Sequence, residues 1–287
     1  MRVKPASIAL FLVPVVFIHG ADPCRAAEPG DLPAYLSDRG DAIPTSLLGT
    51  YIHEKEFLFY PFYEYTHTKK FQYSPRDLGF TGEQEFSGKL VEHEALVFLA
   101  YAFNDSLAIE FESAVYGSLE FTKAPNDNTS VPNRIRETGL GDTETNILWR
   151  PLKETATRPE ATFFFTTVYP LQRSEKLLGT QHWELEPGVV LTKGFSFGTL
   201  ASSLSLAYDT GGHKLDFSGW SLDYLKRLNS KWRVALSLEG VQKDEVSIIG
   251  ELQYTLGRNA VLKLNSGFGV TEKAPNFAPE IGVMFNF

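Results

Sequence analysis

From Glu56 to the C-terminus the chain reads as short runs in which every second side chain is apolar or aromatic and carries no charge. Phe57, Phe59, Tyr63 and Tyr65 share one parity, as do Val91, Val97, Leu99 and Tyr101, then Leu107, Ile109, Phe111 and Val115. The pattern continues through Phe163, Phe165 and Tyr169, Leu200 to Tyr208, Val234 to Leu238, and Ile281 to Phe287. A period of two puts these residues on one face of a strand. His93 and Lys226, both near strand ends, are the ionisable exceptions apart from tyrosine. A soluble sheet turns its polar face outward, so a secreted β-sandwich fits this pattern poorly. Hydrocarbon demands it, because a Lys or Arg at the bilayer midplane costs roughly 2–4 kcal/mol.

Runs bounded by turn residues number about twelve, within the range of bacterial outer-membrane barrels. The expected strands are 56–66, 89–102, 107–121, 138–150, 160–170, 183–192, 198–209, 215–227, 231–240, 245–256, 260–269 and 279–287. Tight connections at 103–106, 228–230 and 257–259 alternate with longer polar ones such as 67–88 and 122–137. Short turns belong on the periplasmic side and long loops outside. Aromatics fall at both ends of the apolar face: Tyr65, Tyr169, Trp183 and Tyr208 outside, Phe57, Tyr101, Trp149, Trp232 and Tyr254 on the periplasmic side. Pro61 and Pro187 each lack a ladder donor inside a closed sheet, and β-bulges are the expected accommodation.

The expected fold is therefore all-β: a closed antiparallel transmembrane barrel over residues 51–287, in the cell outer membrane of a Gram-negative bacterium. Ahead of it, Arg2 and Lys4, an apolar run from Ala6 to Ile18 and small residues up to Ala26 have the layout of a cleaved signal peptide, residues 1–26. Cleavage there removes Cys24, the chain's one cysteine, so no disulfide framework is available. Residues 27–50, rich in Pro, Gly and Asp, read as a short periplasmic lead segment. A mean hydropathy of −0.15 is compatible with a barrel, since lumen-facing and lipid-facing residues average out.

The opposite parity is acidic. Glu56, Glu64, Glu92, Glu94, Glu110, Glu112, Asp142, Glu144, Glu184, Glu186, Asp223, Glu239, Glu251 and Glu280 are assigned to the lumen, against Arg150, Arg227, Arg233 and Lys263. Such a wall concentrates cations, which predicts a channel or facilitator for passive passage of small polar or aromatic solutes, without cofactor or bound metal. Closely set carboxylates that share protons in a side-chain-filled interior would instead make a non-conducting structural or interaction barrel. An outer-membrane lipid hydrolase would need a serine beside one of His53, His67, His93, His182 or His213, and none stands at a recognisable spacing. Asp127, between Asn126 and Asn128, lacks the acidic spacing of a calcium loop. A net charge of −8 without basic runs excludes a nucleic-acid surface. The partners expected are outer-membrane lipid and lipopolysaccharide, small solutes, and the barrel-assembly machinery during insertion.

Four segments carry a likeness to a known family. They are Tyr60-Pro61-Phe62-Tyr63-Glu64-Tyr65, the stretch Ala102 to Glu110, Gly139-Leu140-Gly141-Asp142-Thr143-Glu144, and Trp183-Glu184-Leu185-Glu186-Pro187-Gly188. In these the chain resembles the porin-like outer-membrane barrel family named for the meta-pathway of phenol degradation. The resemblance implies a barrel of about twelve strands that passes small, including aromatic, molecules, and it transfers no catalytic or binding residue.

Overall fold

The computed structural model describes residues 32–172, 176–241 and 245–287; the signal segment 1–26 lies outside the described residues. A 3-10 turn, η1 (Ala34–Leu36), leads into a small hairpin of β1 (Ile43–Pro44) and β2 (Tyr51–Ile52). The wall follows: β3 (Phe57–Tyr73), β4 (Phe86–Asn104), β5 (Leu107–Thr122), β6 (Arg134–Gly139), β7 (Thr143–Leu152), β8 (Glu160–Val168) and β9 (Glu184–Phe195). It is completed by β10 (Gly198–Asp209), β11 (Lys214–Arg227), β12 (Trp232–Val241), β13 (Glu245–Gly257), β14 (Ala260–Gly269) and β15 (Ala278–Asn286). Each strand pairs antiparallel with its neighbour, and β15 pairs with β3, so the sheet closes on itself. The result is a closed barrel of 12 strands, because β6 and β7 are two parts of one stave.

That division departs from the continuous strand expected over 138–150. β6 pairs with the outer end of β5 and β7 with its inner end, leaving Leu140–Asp142 between them. Gly141 donates its N–H to the Ala114 carbonyl, and a Cβ on Gly141 would stand 2.7 Å from that of Ala114. The close approach accompanies a register shift of β4 against β5, between Ala95 and Leu96.

The prolines are handled differently from expectation. Pro61 is in register with Val97, and Pro187 with Phe165. On the far side of each, the ladder is interrupted without changing register: β15–β3 pairs at Gly282–Phe62 and resumes at Phe285–Phe59, and β10–β9 pairs at Ser205–Gly188 and resumes at Tyr208–Leu185. No bulge occurs at either proline. A residue without an N–H needs only an omitted bond, so the register survives. The register shifts lie elsewhere, at Thr68/Phe71, Ala95/Leu96 and Ser205/Leu206 among others.

The two faces follow the alternation. Phe163, Phe165, Leu204, Leu236 and Ile281 are exposed on the outer wall. Girdle aromatics meet across strands: Tyr169–Trp183 at 5.3 Å outside, Trp149–Phe163 at 5.8 Å and Trp232–Tyr254 at 4.5 Å on the periplasmic side. Replacing Leu236, mid-strand and 51% exposed, with Arg should cost about 2–4 kcal/mol of folding free energy in lipid vesicles. Denaturant titration checks it, with lumen-facing Glu239→Arg as comparison. Equal losses at the two sites would overturn the assignment of faces.

Part of the connection expected at 67–88 is strand. β3 runs to Tyr73 and β4 begins at Phe86, because this end of the wall has its own apolar core of Tyr73, Leu78, Phe86, Leu90, Phe121 and Val131. Asp127 is buried against that core, accepting hydrogen bonds from the Tyr73 hydroxyl at 2.7 Å and the Thr129 N–H at 2.7 Å. Its carboxylate is occupied by the fold.

Candidate functional site: a plugged lumen

The described part of the lead segment, 32–50, does not hang below the barrel. It lies in the periplasmic half of the lumen. Ala42 and Ile43 are at most 1% exposed, and Ile43, with Ile52 of the adjoining β2, packs with Leu58, Tyr60, Phe62, Leu96, Phe98 and Ala100 of the inner wall. Leu58, Tyr60 and Phe62 have inward parity, so β3 is apolar on both faces here. A lumen open to water along its length would disfavour that run, and it is the sequence signal that an apolar object sits against it.

Polar contacts fix the plug at its tip and at its base. At the tip, Lys263 Nζ donates to the Leu48 carbonyl at 3.0 Å and to Thr50 Oγ1 at 2.8 Å, and Gln253 Nε2 donates to the Gly49 carbonyl at 3.1 Å. Gly49 turns the hairpin with φ +63°, a conformation that L side chains resist. The Ser46 N–H donates to Glu110 Oε1 at 3.0 Å, while Asn146 Nδ2 holds the other oxygen at 2.9 Å. At the base, Asp38 accepts from the Arg227 N–H at 2.9 Å and from Lys226 at 3.3 Å. η1 docks on β9 at Gly194, where a Cβ would stand 1.6 Å from the Tyr35 carbonyl oxygen, so only glycine lets the turn approach.

Arg39 anchors the base. Its guanidinium lies 2.8 Å from Glu154 and 3.2 Å from Glu160, all three side chains at most 1% exposed, and Nη1 donates to the Ala42 carbonyl at 3.1 Å. Glu160 also pairs with Arg150 at 2.9 Å, and Glu154 with Lys193 at 2.8 Å. Burial alone would lower the Arg39 pKa, but Glu160 and its other partners hold it above the ordinary arginine value.

The sequence reading set Arg150, Arg227, Arg233 and Lys263 against the lumenal carboxylates. The structure puts them all at plug level. Arg150 donates to the Ala42 carbonyl at 3.0 Å, Lys263 holds the tip and pairs with Glu251 at 3.3 Å, and Arg233 faces Arg227 across β11 and β12. Charge is thus separated along the barrel axis.

Above the plug, carboxylates meet across neighbouring strands. Glu64 stands directly across from Glu94 on one side and Glu280 on the other, and Glu112 faces Glu144. Glu64 accepts from Thr66 at 2.9 Å, Asp142 from Thr180 at 2.6 Å and Glu186 from Ser218 at 2.7 Å. The carboxylates of Glu92, Glu94, Glu112 and Glu144 have no hydrogen-bond or ion-pair partner among the described residues. Of the described strand residues facing this half of the lumen, only Lys214 at the outer rim is a cation, and it is paired with Asp216. Glu110 does not join the wall, being taken by the plug. A cavity of about 350 Å³ lies over the hairpin tip, bordered by Glu144, Glu186, Asp223 and Glu239. A second, of about 230 Å³, adjoins it at Glu239 and Val241 and reaches Pro275 and Ala278.

Among the described residues the histidines form no catalytic arrangement with serine. His93 Nδ1 meets the Tyr63 hydroxyl at 2.6 Å on the lipid face, and His213 Nδ1 meets the Tyr208 hydroxyl at 3.3 Å. No serine hydroxyl bonds a histidine among the described residues, and no cluster of metal-ligating side chains occurs among them.

No family model matches the sequence, and no curated protein matches it. Solved structures do. An outer-membrane channel from Pseudomonas putida F1 superposes with a TM-score of 0.61 at 12% identity, over 85% of this chain and 99% of that one. The KdgM porin in complex with disordered oligogalacturonate gives 0.49 at 8% identity, over 80% and 99%. The translocator domain of the autotransporter NalP from Neisseria meningitidis gives 0.47 at 11%, over 82% and 90%. What the chain shares with the Pseudomonas putida channel is its fold, that of an outer-membrane β-barrel.

Proposed function

We propose that this barrel is an outer-membrane channel for small solutes, with a cation-preferring outer vestibule and its own lead segment as the periplasmic stopper. The observation that carries the reading is the charge separation: unpartnered carboxylates border the space above the plug, while the lumenal cations lie at plug level, where Arg150 and Lys263 hold the plug. Low-dielectric walls lined by one sign of charge concentrate the opposite ion. Small neutral or cationic molecules suit this vestibule and anions do not. The resemblance to the meta-pathway family adds aromatic molecules to the solutes worth testing, and Phe164 beside the larger cavity offers such a ring an apolar surface.

Reversal potentials across planar bilayers in a potassium chloride gradient test the reading, on the plug-deleted barrel. A cation preference should fall by about half or more when Glu112 and Glu144 become Gln, since a charged ring sets selectivity by its field. Anion preference in the unsubstituted barrel, or an unaltered potential in the double variant, would overturn the acidic vestibule. The absence of any conductance with the plug removed would favour a closed structural barrel, for which the packed lumenal plug is the supporting observation.

A further inference from the structure

A basic patch stands on the outside of the barrel, and the channel reading does not use it. The register shift at Thr68/Phe71 sets Lys69 and Lys70, both exposed, opposite Lys89. Lys89 pairs with Thr122, which pairs with Arg134, and Glu120, next on this face, pairs with Arg136. Glu120 bridges Arg134 at 3.2 Å and Arg136 at 3.1 Å, yet both guanidinium groups remain 67% exposed. Lys70 meets Glu272 at 2.8 Å, whereas Lys69 and Lys89 have no carboxylate partner among the described residues. Five cations therefore share one outward surface with two carboxylates.

Height identifies what this surface faces. A strand rises about 3.3 Å per residue and tilts by about 40°, gaining about 2.5 Å of height per residue. Lys89 is twelve positions up β4 from the periplasmic girdle residue Tyr101. It stands about 30 Å above it, just past an apolar band about 25 Å tall. Directly below the patch, the β4–β5 register shift turns Val115 and Tyr116 outward together, 51% and 53% exposed. Cations at headgroup level over an apolar surface suit an amphiphile with an anionic head.

We infer that Lys69, Lys89, Arg134 and Arg136 bind the phosphates of a phosphorylated saccharide lipid of the outer leaflet, whose acyl chains lie over Val115 and Tyr116. Guanidinium groups take phosphate bidentately and ammonium groups as point charges. The patch is confined to β3–β6, the side with its own apolar core beyond the membrane, so the lipid is held at one sector of the wall.

Native mass spectrometry of the refolded full chain tests this with bis-phosphorylated lipid A, its dephosphorylated counterpart and inorganic phosphate. The wild-type barrel should retain the phosphorylated lipid, and Lys89→Gln/Arg134→Gln/Arg136→Gln should weaken retention about tenfold or more, given the attraction of each surface cation to anionic lipid. Lys214→Gln, at the lumenal rim, should not. Heat-modifiable migration reports folding, and the lipid comparison on the wild-type chain stands whether or not the triple variant folds. Equal retention of the dephosphorylated lipid, full retention by a folded triple variant, or displacement by equimolar inorganic phosphate would each overturn the lipid site. None of these results depends on conductance.

Discussion

A refolded barrel beginning at Tyr51, without residues 32–50, should conduct at least about fivefold more than the full chain in planar bilayers, because the space in which the wall holds the plug is then left to water. The segment to be removed contributes Ile43 and Leu47 to the lumenal core and covers the periplasmic side of the larger cavity. Its loss exposes Leu58, Tyr60, Phe62 and Phe98 to water in the lumen, so the open barrel should also unfold at lower denaturant. The wall's backbone ladder does not pass through the plug, and closure through β15–β3 is intact without it. Equal conductance with and without the segment would mean that something other than the plug sets the resistance. If the shortened chain does not refold, the full chain with a loosened anchor makes the same point through intermittent openings.

The wall was legible in the sequence because lipid imposes a rule on every second residue, and Val97, Phe165 and Leu236 obey it whatever their neighbours do. The girdles were legible for the same reason. The plug was not, because residues 27–50 carry no sustained period; the hairpin that they form with Tyr51 and Ile52 has only two residues in each strand and depends on the surrounding wall. Its trace lay in the partner surface, where Leu58, Tyr60, Phe62, Leu96 and Phe98 are apolar at inward positions. The roles of Arg150 and Lys263 were hidden likewise, since parity shows which way a side chain points and says nothing of height within the lumen. Pro61 and Pro187 were rightly singled out as costing a ladder bond. An omitted pair settles that cost more simply than an inserted residue, which would have shifted the sequence parity of the outward face beyond it.

Removing Glu160 should loosen the plug more than removing Arg39, although the two touch each other. The buried anchor holds Arg39, Arg150 and Lys193 against Glu154 and Glu160. Arg39→Met leaves two cations facing two carboxylates, each still paired, and loses the hydrogen bonds that Arg39 made; the expected cost to plug docking is about 1–3 kcal/mol. Glu160→Gln leaves Arg39 and Arg150, both with fully buried side chains, with one carboxylate fewer between them. Uncompensated buried charge costs about 3–5 kcal/mol. Because Arg39 belongs to the plug while Arg150 and Glu160 belong to the wall, part of that cost is relieved when the plug swings out and Arg39 reaches water. Hydrogen exchange over residues 39–52 should therefore accelerate more in Glu160→Gln than in Arg39→Met, and the double variant should fall below the sum of the two. Slower exchange in Glu160→Gln than in Arg39→Met would show that the anchor works by packing of the arginine stem, and the charge count would then not govern plug release.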